Sequence, residues 1–234
     1  MLDIVGSFEA MTTPQAVTDR LASVLSGFGF SAFLITQVPE PPLRLEPYIL
    51  VNGWPRGWSE LYSKRDYYRE DPVAGFCRRT TNPFEWSEAP FSPERDLRSL
   101  EVMNVARDFG MVSGFLVPIV RTTGFHACVT MAGQNPDLDP IAKRAIHIIS
   151  MFAHGRIAAL EGASTARKTK KLTRTEREIL SWAAVGKSSW DIATILNISK
   201  SSVDTIANRA TKKLDAVNRT QAVVNALREG EISL

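Results

Sequence analysis

The chain has 234 residues, 44% of them hydrophobic and 23% charged, a balance typical of folded globular proteins rather than disordered or fibrous ones. No run approaches about 18 consecutive apolar residues and the first residues lack a secretory signal, so we predict no membrane span and expect a cytoplasmic location. The charge is uneven, because residues 1–163 hold 15 Lys and Arg against 18 Asp and Glu, whereas residues 164–234 hold 13 against 7. This length and this asymmetry predict two domains, of which only the second is basic enough for nucleic acid.

The first elements of the chain follow a change from helical to strand periodicity. Thr13 followed by Pro14 predicts the start of a helix that ends near Gly27. Residues 31–38 and 47–53 are short apolar runs bounded by proline or glycine, and both predict strands.

Helical patterns then return in three segments. They occupy residues 54–68, 71–76 and 92–110, and the last of them has Ser92 as the expected N-cap with Pro93 at the first helical position. Three helices are therefore predicted between the first and the second pair of strands.

The next part of the chain predicts a hairpin and a long helix. Residues 113–133 divide at 122–124 into two strands, and residues 137–162 form the helix that follows. Helices on both sides of a mostly antiparallel sheet predict an α-β-α sandwich over residues 1–162.

Cysteines and histidines in this chain are too scattered to predict a metal or catalytic site. Cys77 and Cys128 have no CxxC spacing, so two buried thiols are favoured over a disulfide or a metal site. His147 and His154 share a helix face without a supporting carboxylate or cysteine, which favours surface or interface histidines over zinc. The sequence has no nucleophile elbow either, so no metal site and no catalytic residue is predicted.

A dense aromatic cluster precedes the third predicted helical segment. Spacing of four places Trp54, Trp58 and Tyr62 on one helical face, and Trp86 follows later. Such a stripe is more often core than ligand site. Asp71 before a proline is likewise the pattern of an N-cap. Spacing alone therefore favours structural roles for these residues.

Beyond a polar, basic stretch at 163–171, which we expect to be an exposed linker, the chain predicts an all-α domain over 172–234. Thr173 with Glu176 forms a capping box at the start of its first helix, and Gly186 is expected to end that helix.

Two more helices follow at short intervals. Ser188 with Asp191 is a second capping box, and Ser199 is the expected cap of a third helix after a bend at 197–198. The buried face of that helix is expected to contain Val203, Ile206, Ala210 and Leu214. A short helix, a tight turn and a third helix together predict a helix-turn-helix.

The opposite face of the third helix is polar and suits DNA. Its side chains, joined by Lys187 before the second helix, are of the types that reach phosphates and base edges in the major groove. They are Lys200, Ser201, Ser202, Asp204, Thr205, Asn208, Arg209 and Lys212. A solvated helix face is the alternative interpretation, and charge alone does not separate the two.

Several motifs of this domain resemble the four-helix DNA-binding domain of LuxR-type transcription regulators. The matching motifs are Glu178, Gly186-Lys187, Ile192-Ala193, Ser199-x-x-x-Val203, Lys213-Leu214 and Asn218-Arg219. One departure concerns Asp204, which stands where most members have Lys or Arg. We expect Asp204 to repel phosphate and to accept a hydrogen bond from a cytosine amino group.

The N-terminal part resembles the autoinducer-binding domain of LuxR-type quorum-sensing receptors. The motifs that carry this resemblance are Trp58-x-x-x-Tyr62, Tyr67-Tyr68, Asp71-Pro72, Pro83-x-x-Trp86 and Phe109-Gly110-x-x-x-Gly114. The resemblance implies a cavity between sheet and helices that holds an N-acyl-homoserine lactone as effector, with no cofactor.

The same resemblance assigns roles within that cavity. Trp58 is expected to donate to the lactone carbonyl, Asp71 to accept from the ligand amide, and Thr130 to reach the acyl carbonyl. Tyr62, Val73 and Trp86 are expected to line the walls. Trp54 replaces a tyrosine that is common in the family, and its bulk leads us to expect a short, branched or aromatic acyl group.

We therefore predict a ligand-regulated transcription factor that binds a pseudo-palindromic operator as a homodimer. The expected dimer surfaces are residues 148–160 and the helix after Arg219. Double-stranded DNA, the lactone and a second copy are the implied partners, and RNA polymerase is a further candidate. The alternatives are a ligand-independent or plant-signal-responsive regulator of the same architecture, and an enzyme tethered to DNA, against which the missing nucleophile counts.

Overall fold

The computed structural model describes residues 2–120, 126–165 and 172–233, which form two compact units. The first unit ends at Glu161, and the second contains the helices from Arg174 onward. Each unit has hydrophobic clusters of its own. None of the described helices is long and apolar enough to span a bilayer.

A five-stranded antiparallel sheet lies at the centre of the first unit, with the strand order β2-β1-β5-β4-β3. The strands are β1 (Ala32–Gln37), β2 (Ile49–Gly53), β3 (Phe84–Glu85), β4 (Ser113–Ile119) and β5 (Ala127–Gly133). Thr130 pairs with Leu34 on one side and with Leu116 on the other, so it occupies the middle of the sheet.

Helices cover both faces of this sheet. Successive side chains along each strand point to opposite faces, so the apolar ones belong to two separate hydrophobic cores. One face packs against α3 (Arg56–Lys64), α4 (Pro72–Cys77) and α5 (Leu97–Asp108). The other packs against α1 (Leu2–Glu9), α2 (Pro14–Gly27) and α6 (Pro140–Thr165). The predicted α-β-α sandwich is confirmed.

The helix predicted over residues 92–110 is wrong at its start, because α5 begins only at Leu97. Ser92 does not cap it. Instead the Ser92 N–H donates to the Asp96 carboxylate at 2.8 Å, and the Asp96 N–H donates back to the Ser92 carbonyl at 2.7 Å. These two bonds close a separate turn that contains Pro93, and the chain enters the helix only afterwards.

Smaller corrections concern the strands and the aromatic segment. Pro47 and Tyr48 belong to a 3₁₀ turn, Glu46–Tyr48, and the strand starts at Ile49. Trp54 lies before α3 rather than on it, because Pro55 is the N-cap of that helix. Helix α1 and strand β3 were not predicted from the sequence.

Helix α6 runs three residues further than predicted, to Thr165. Residues 166–171 of the predicted linker, and the predicted turn at 122–124, lie outside the described residues. His154 on α6 is 7% exposed, so the prediction of a surface or interface histidine is wrong for it. Its spacing from Ser150 and Ile157, both fully buried, places it on the helix face that packs inward.

The second unit is a bundle of four helices: α7 (Arg174–Ala184), α8 (Ser189–Leu196), α9 (Lys200–Lys213) and α10 (Arg219–Arg228). Both predicted capping boxes are present at the starts of α7 and α8. Ser199 caps α9 by accepting from the Ser202 N–H, as predicted. Ile206 is only partly buried, whereas Ala207 is 4% exposed and takes its place in the core.

Candidate functional site

A cavity lies between the sheet and helices α3, α4 and α5, and it encloses about 550 Å³ of empty space including its opening to solvent. Its walls are mostly apolar. The seven residues that the sequence nominated for a ligand site all line it: Trp54, Trp58, Tyr62, Asp71, Val73, Trp86 and Thr130. Mostly apolar walls with a few polar groups are typical of small-molecule sites.

Aromatic rings form one wall of the cavity. The Trp54 ring lies 4.9 Å from that of Tyr62 and 6.1 Å from that of Trp58, all near edge-to-face. Trp58 also packs against Tyr67 and Phe109, with ring centroids 5.8 and 5.9 Å away. Edge-to-face contact is a favoured geometry of aromatic pairs. The cluster therefore forms one continuous aromatic wall even though Trp54 is not helical.

Asp71 combines its predicted capping role with a position in the cavity. Its Oδ1 accepts from the backbone N–H groups of Val73 at 2.8 Å and Ala74 at 3.2 Å, while its Oδ2 accepts from the Tyr62 hydroxyl at 2.8 Å. Burial raises the pKa of Asp71, although these hydrogen bonds lower it in part. Burial and the neighbouring carboxylate raise the pKa of Tyr62 well above its usual value, so Tyr62 remains a donor.

A second polar pair lies on the sheet side of the cavity. The Trp86 indole Nε1 donates to Thr130 Oγ1 at 3.0 Å in a buried position. Because Thr130 is the acceptor in this bond, its own O–H proton is available to donate elsewhere. The indole packs closely against Gly114, where an added Cβ would be 2.4 Å from the Trp86 ring. Trp86 is thus a donor as well as a wall residue.

Some lining residues were not nominated from the sequence. Thr36 of β1 also lines the cavity, and its single hydroxyl proton is shared between the Gln37 and Tyr48 carbonyl oxygens, at 2.8 and 3.0 Å. The period of two along β1 could have identified it. Cys77 and Cys128, which also line the cavity, are buried free thiols as predicted, and contact with Cys77 together with burial raises the pKa of Cys128.

The predicted DNA-contacting side chains all lie on α9 except Lys187, which precedes α8. All are exposed except Ser202 and Asp204, which are partly buried. Ser201, Ser202, Thr205, Ile206 and Arg209 line a shallow groove along α9. The Thr205 hydroxyl donates to the Ser201 carbonyl within the helix at 2.8 Å.

Asp204 forms a hydrogen bond and an ion pair within the second unit. Its Oδ1 accepts from the Ser189 hydroxyl at 2.6 Å, and its Oδ2 is 3.4 Å from Lys200 Nζ. Arg219 Nη1 donates to the same Ser189 oxygen at 2.8 Å. The hydrogen bond from Ser189, with smaller contributions from Lys200 and Arg219, lowers the pKa of Asp204.

Comparison with protein families gives two matches that together span most of the chain. Residues 13–157 match the autoinducer binding domain, and residues 170–226 match the bacterial regulatory proteins of the luxR family.

Individual relatives agree with these matches. The transcriptional activator protein BjaR1 of Bradyrhizobium diazoefficiens is 42% identical over 215 residues, which cover 92% of this chain and 88% of that protein. The quorum sensing-dependent regulator RpaR of Rhodopseudomonas palustris is 40% identical over 233 residues, covering 100% and 95%. Among solved structures, Escherichia coli SdiA has a TM-score of 0.79 at 19% identity, covering 97% of this chain and 95% of that one, which supports the fold alone.

Proposed function

Because the chain belongs to the LuxR-type autoinducer-binding transcription regulators, which are not enzymes, we propose that its effector is an N-acyl-homoserine lactone. We further propose that this effector has a short, branched or aromatic acyl group, and that the chain binds a pseudo-palindromic operator as a homodimer. The observation that carries the proposal is the cavity of the first unit, where one carboxylate and a few donors face otherwise apolar walls.

The polar groups of the cavity suit a ligand whose amide N–H lies between an acyl carbonyl and a lactone carbonyl. Asp71 uses three of the roughly four acceptor sites of a carboxylate, so its Oδ2 retains capacity for a ligand N–H. The Thr130 hydroxyl can donate to the acyl carbonyl, and the Trp58 indole can donate to the lactone carbonyl. An amide buried without such partners would cost about 1–3 kcal/mol per unmet group.

The aromatic walls support a compact acyl group. Trp54 is partly buried and contacts Tyr62 and Trp58, so its indole occupies space that a smaller side chain would leave to a longer chain. On the sheet side, Trp86 and Leu116 add flat and branched apolar surface. A planar or branched acyl group makes more contacts with such surfaces than a flexible linear chain, and it loses less conformational entropy on binding.

Calorimetric titration of the purified chain with a series of acyl-homoserine lactones tests this proposal. We expect binding of short branched or aromatic acyl groups and at least about tenfold weaker binding of the Asp71→Asn variant, whose amide presents a donor where an acceptor is needed. Asp108→Asn is the matched control, because it makes the same change at an exposed position, the last residue of α5, that does not line the cavity. Preference for long linear chains would contradict the acyl assignment. Undiminished binding by Asp71→Asn would contradict the role of Asp71.

For the DNA contacts we propose the polar and basic side chains on and beside α9. These are Lys187, Lys200, Ser201, Ser202, Thr205, Asn208, Arg209 and Lys212. Basic residues at the rim would reach phosphates, while the exposed side chains of Thr205, Asn208 and Arg209 would meet base edges. Selection of bound duplexes from a randomised pool tests the operator. Operator binding without effector would favour the ligand-independent alternative.

Helix α6 offers an apolar surface for the proposed homodimer. Met151 and Phe152 are 49% and 46% exposed and line a groove with Phe8 of α1 and Arg156. Exposed apolar surface of this kind commonly marks an interface. Phe152→Glu should yield a monomer by light scattering and weaken operator binding. The control Ile141→Glu, on the same helix at a position 72% exposed and outside the groove, should leave the dimer intact.

A further inference from the structure

The start of the recognition helix is connected to the two neighbouring helices through one serine. Ser189 is the first residue of α8, Arg219 is the first residue of α10, and Asp204 lies one residue after the fully buried Val203 of α9. The Ser189 oxygen accepts from Arg219 at 2.8 Å and its hydroxyl donates to Asp204 at 2.6 Å. A continuous hydrogen-bonded chain therefore joins three helices at the end of α9 that would enter DNA.

Two cations, Lys200 and Arg219, lie near the single carboxylate of this hydrogen-bonded network. Lys200 lies 3.4 Å from the second oxygen of Asp204, and Arg219 is close enough to lower the pKa of Asp204. Within Arg219, Nε and Nη2 are buried without a hydrogen-bond partner among the described residues. A partly buried cation is costly unless an anion is near, and Asp204 provides that charge.

We propose that Asp204 is a positioning residue of the recognition helix and does not read a base. Its carboxylate fixes the angle of α9 against α8 and α10 through Ser189, and it also compensates the charge of Lys200. Base selection then depends on the exposed side chains further along α9. This inference rests on the proposed DNA-binding function and revises the expectation that Asp204 accepts from cytosine.

The position of Asp204 on α9 explains why a carboxylate is tolerated there. A bare carboxylate at a DNA-facing position would repel phosphate. Here its first oxygen is taken by Ser189 and its second faces Lys200, so the local net charge of the pair is zero. Replacing Asp204 alone would leave the Ser189 hydroxyl without its acceptor and Arg219 without its nearby anion.

The test compares binding of the full chain and its variants to duplexes that the unaltered chain selects from a randomised pool, at a temperature where every variant is folded. Asp204→Ala and Ser189→Ala should each weaken binding by about tenfold, as expected for loss of a charged hydrogen bond. The double variant should bind no more weakly than the weaker single variant, because both changes remove one interaction. Asp204→Asn should recover most of the affinity, since its amide oxygen still accepts from Ser189.

Base preference separates positioning from base reading. Reselection with each variant should return the same preferred sequence. Glu178→Gln is the matched charge control, because Glu178 is exposed on α7 of the same unit, and it should bind as the unaltered chain does or slightly more tightly.

Two results would overturn the inference. One is a changed preference at a single base pair with Asp204→Ala but not with Ser189→Ala, and the other is unchanged affinity in both single variants. The free energy of unfolding of the second unit provides an independent test. Asp204→Ala and Ser189→Ala should each lower it, and the double variant should lower it by less than the sum of the two. If the unaltered chain selects no duplex at all, the proposed function itself is contradicted, whereas a defect confined to the variants concerns Asp204 alone.

Discussion

Replacement of Gly114 by alanine should damage the cavity from the sheet side. An added methyl group would lie 2.4 Å from Cδ2 and Cε2 of the Trp86 indole and 2.7 Å from the Met131 carbonyl oxygen. Carbon atoms pack at about 3.5–4.0 Å, so the indole would have to move by more than about 1 Å. That movement breaks the 3.0 Å bond from Trp86 to Thr130.

The expected magnitude follows from two separate costs. Overpacking a filled core costs about 1–3 kcal/mol, and leaving the buried indole N–H unpaired costs about 1–3 kcal/mol more. The free energy of unfolding of the first unit should therefore fall by about 2–6 kcal/mol. Denaturant unfolding followed by tryptophan fluorescence measures it, since three of the five tryptophans, Trp54, Trp58 and Trp86, lie in this unit.

Two further variants serve as a control and a rescue for Gly114→Ala. Gly6→Ala in α1 has nothing within 4 Å of the added Cβ and should be neutral or slightly stabilising. In a Trp86→Leu background the same Gly114→Ala change should cost less, because the clashing ring is absent and only the contact with the Met131 carbonyl oxygen remains. Unfolding of Gly114→Ala within about 0.5 kcal/mol of the unaltered chain, the range of ordinary surface changes, would refute the argument.

Three further predictions concern charge and backbone geometry. Effector affinity should fall on acidification at a higher pH than an ordinary aspartate would give, because burial raises the pKa of Asp71 and a protonated carboxyl is a poorer acceptor; calorimetry across pH measures this, and Asp71→Asn should lack the dependence. Glu176→Gln should destabilise the second unit by about 1.5–3 kcal/mol in urea unfolding by removing the charged bond from Lys213 at 2.7 Å. Burial raises the pKa of Glu176, but its hydrogen bonds lower it more, so the net shift is downward. The stability difference between Glu176→Gln and the unaltered chain should therefore be present at neutral pH and disappear as pH falls through the folded-state pKa. A difference that persists in acid would contradict the assignment. Asn197, with φ 53°, should tolerate glycine, whereas Asn197→Val should lower the thermal midpoint, and equal midpoints would refute the strain argument.

Local sequence patterns predict the structure correctly where one short segment contains all the interacting atoms. The capping boxes at Thr173 and Ser188 each need only four consecutive residues, and both are present. The same logic failed at Ser92, where a competing turn with Asp96 used the groups that a cap would need. Local patterns therefore identify possible partners, and the competition between them decides the outcome.

Contacts between distant segments could not be derived from spacing. Trp86 and Thr130 are 44 residues apart, and only the pairing of β3 with β4 and of β4 with β5 brings them together. Strand β3 has two residues, too few for any periodicity to appear. The cavity residues were nominated through the family resemblance, while their hydrogen bonds, including the bond between Tyr62 and Asp71, required the structure.

The double use of Asp71 has a thermodynamic consequence. The carboxylate that caps α4 is also the one proposed to bind the effector. Formation of the first turn of α4 and binding of the effector are therefore thermodynamically coupled. Such coupling is reciprocal. Any change that tightens the first turn of α4 should raise effector affinity, and a bound effector should slow amide hydrogen exchange at Val73 and Ala74 by a matching amount.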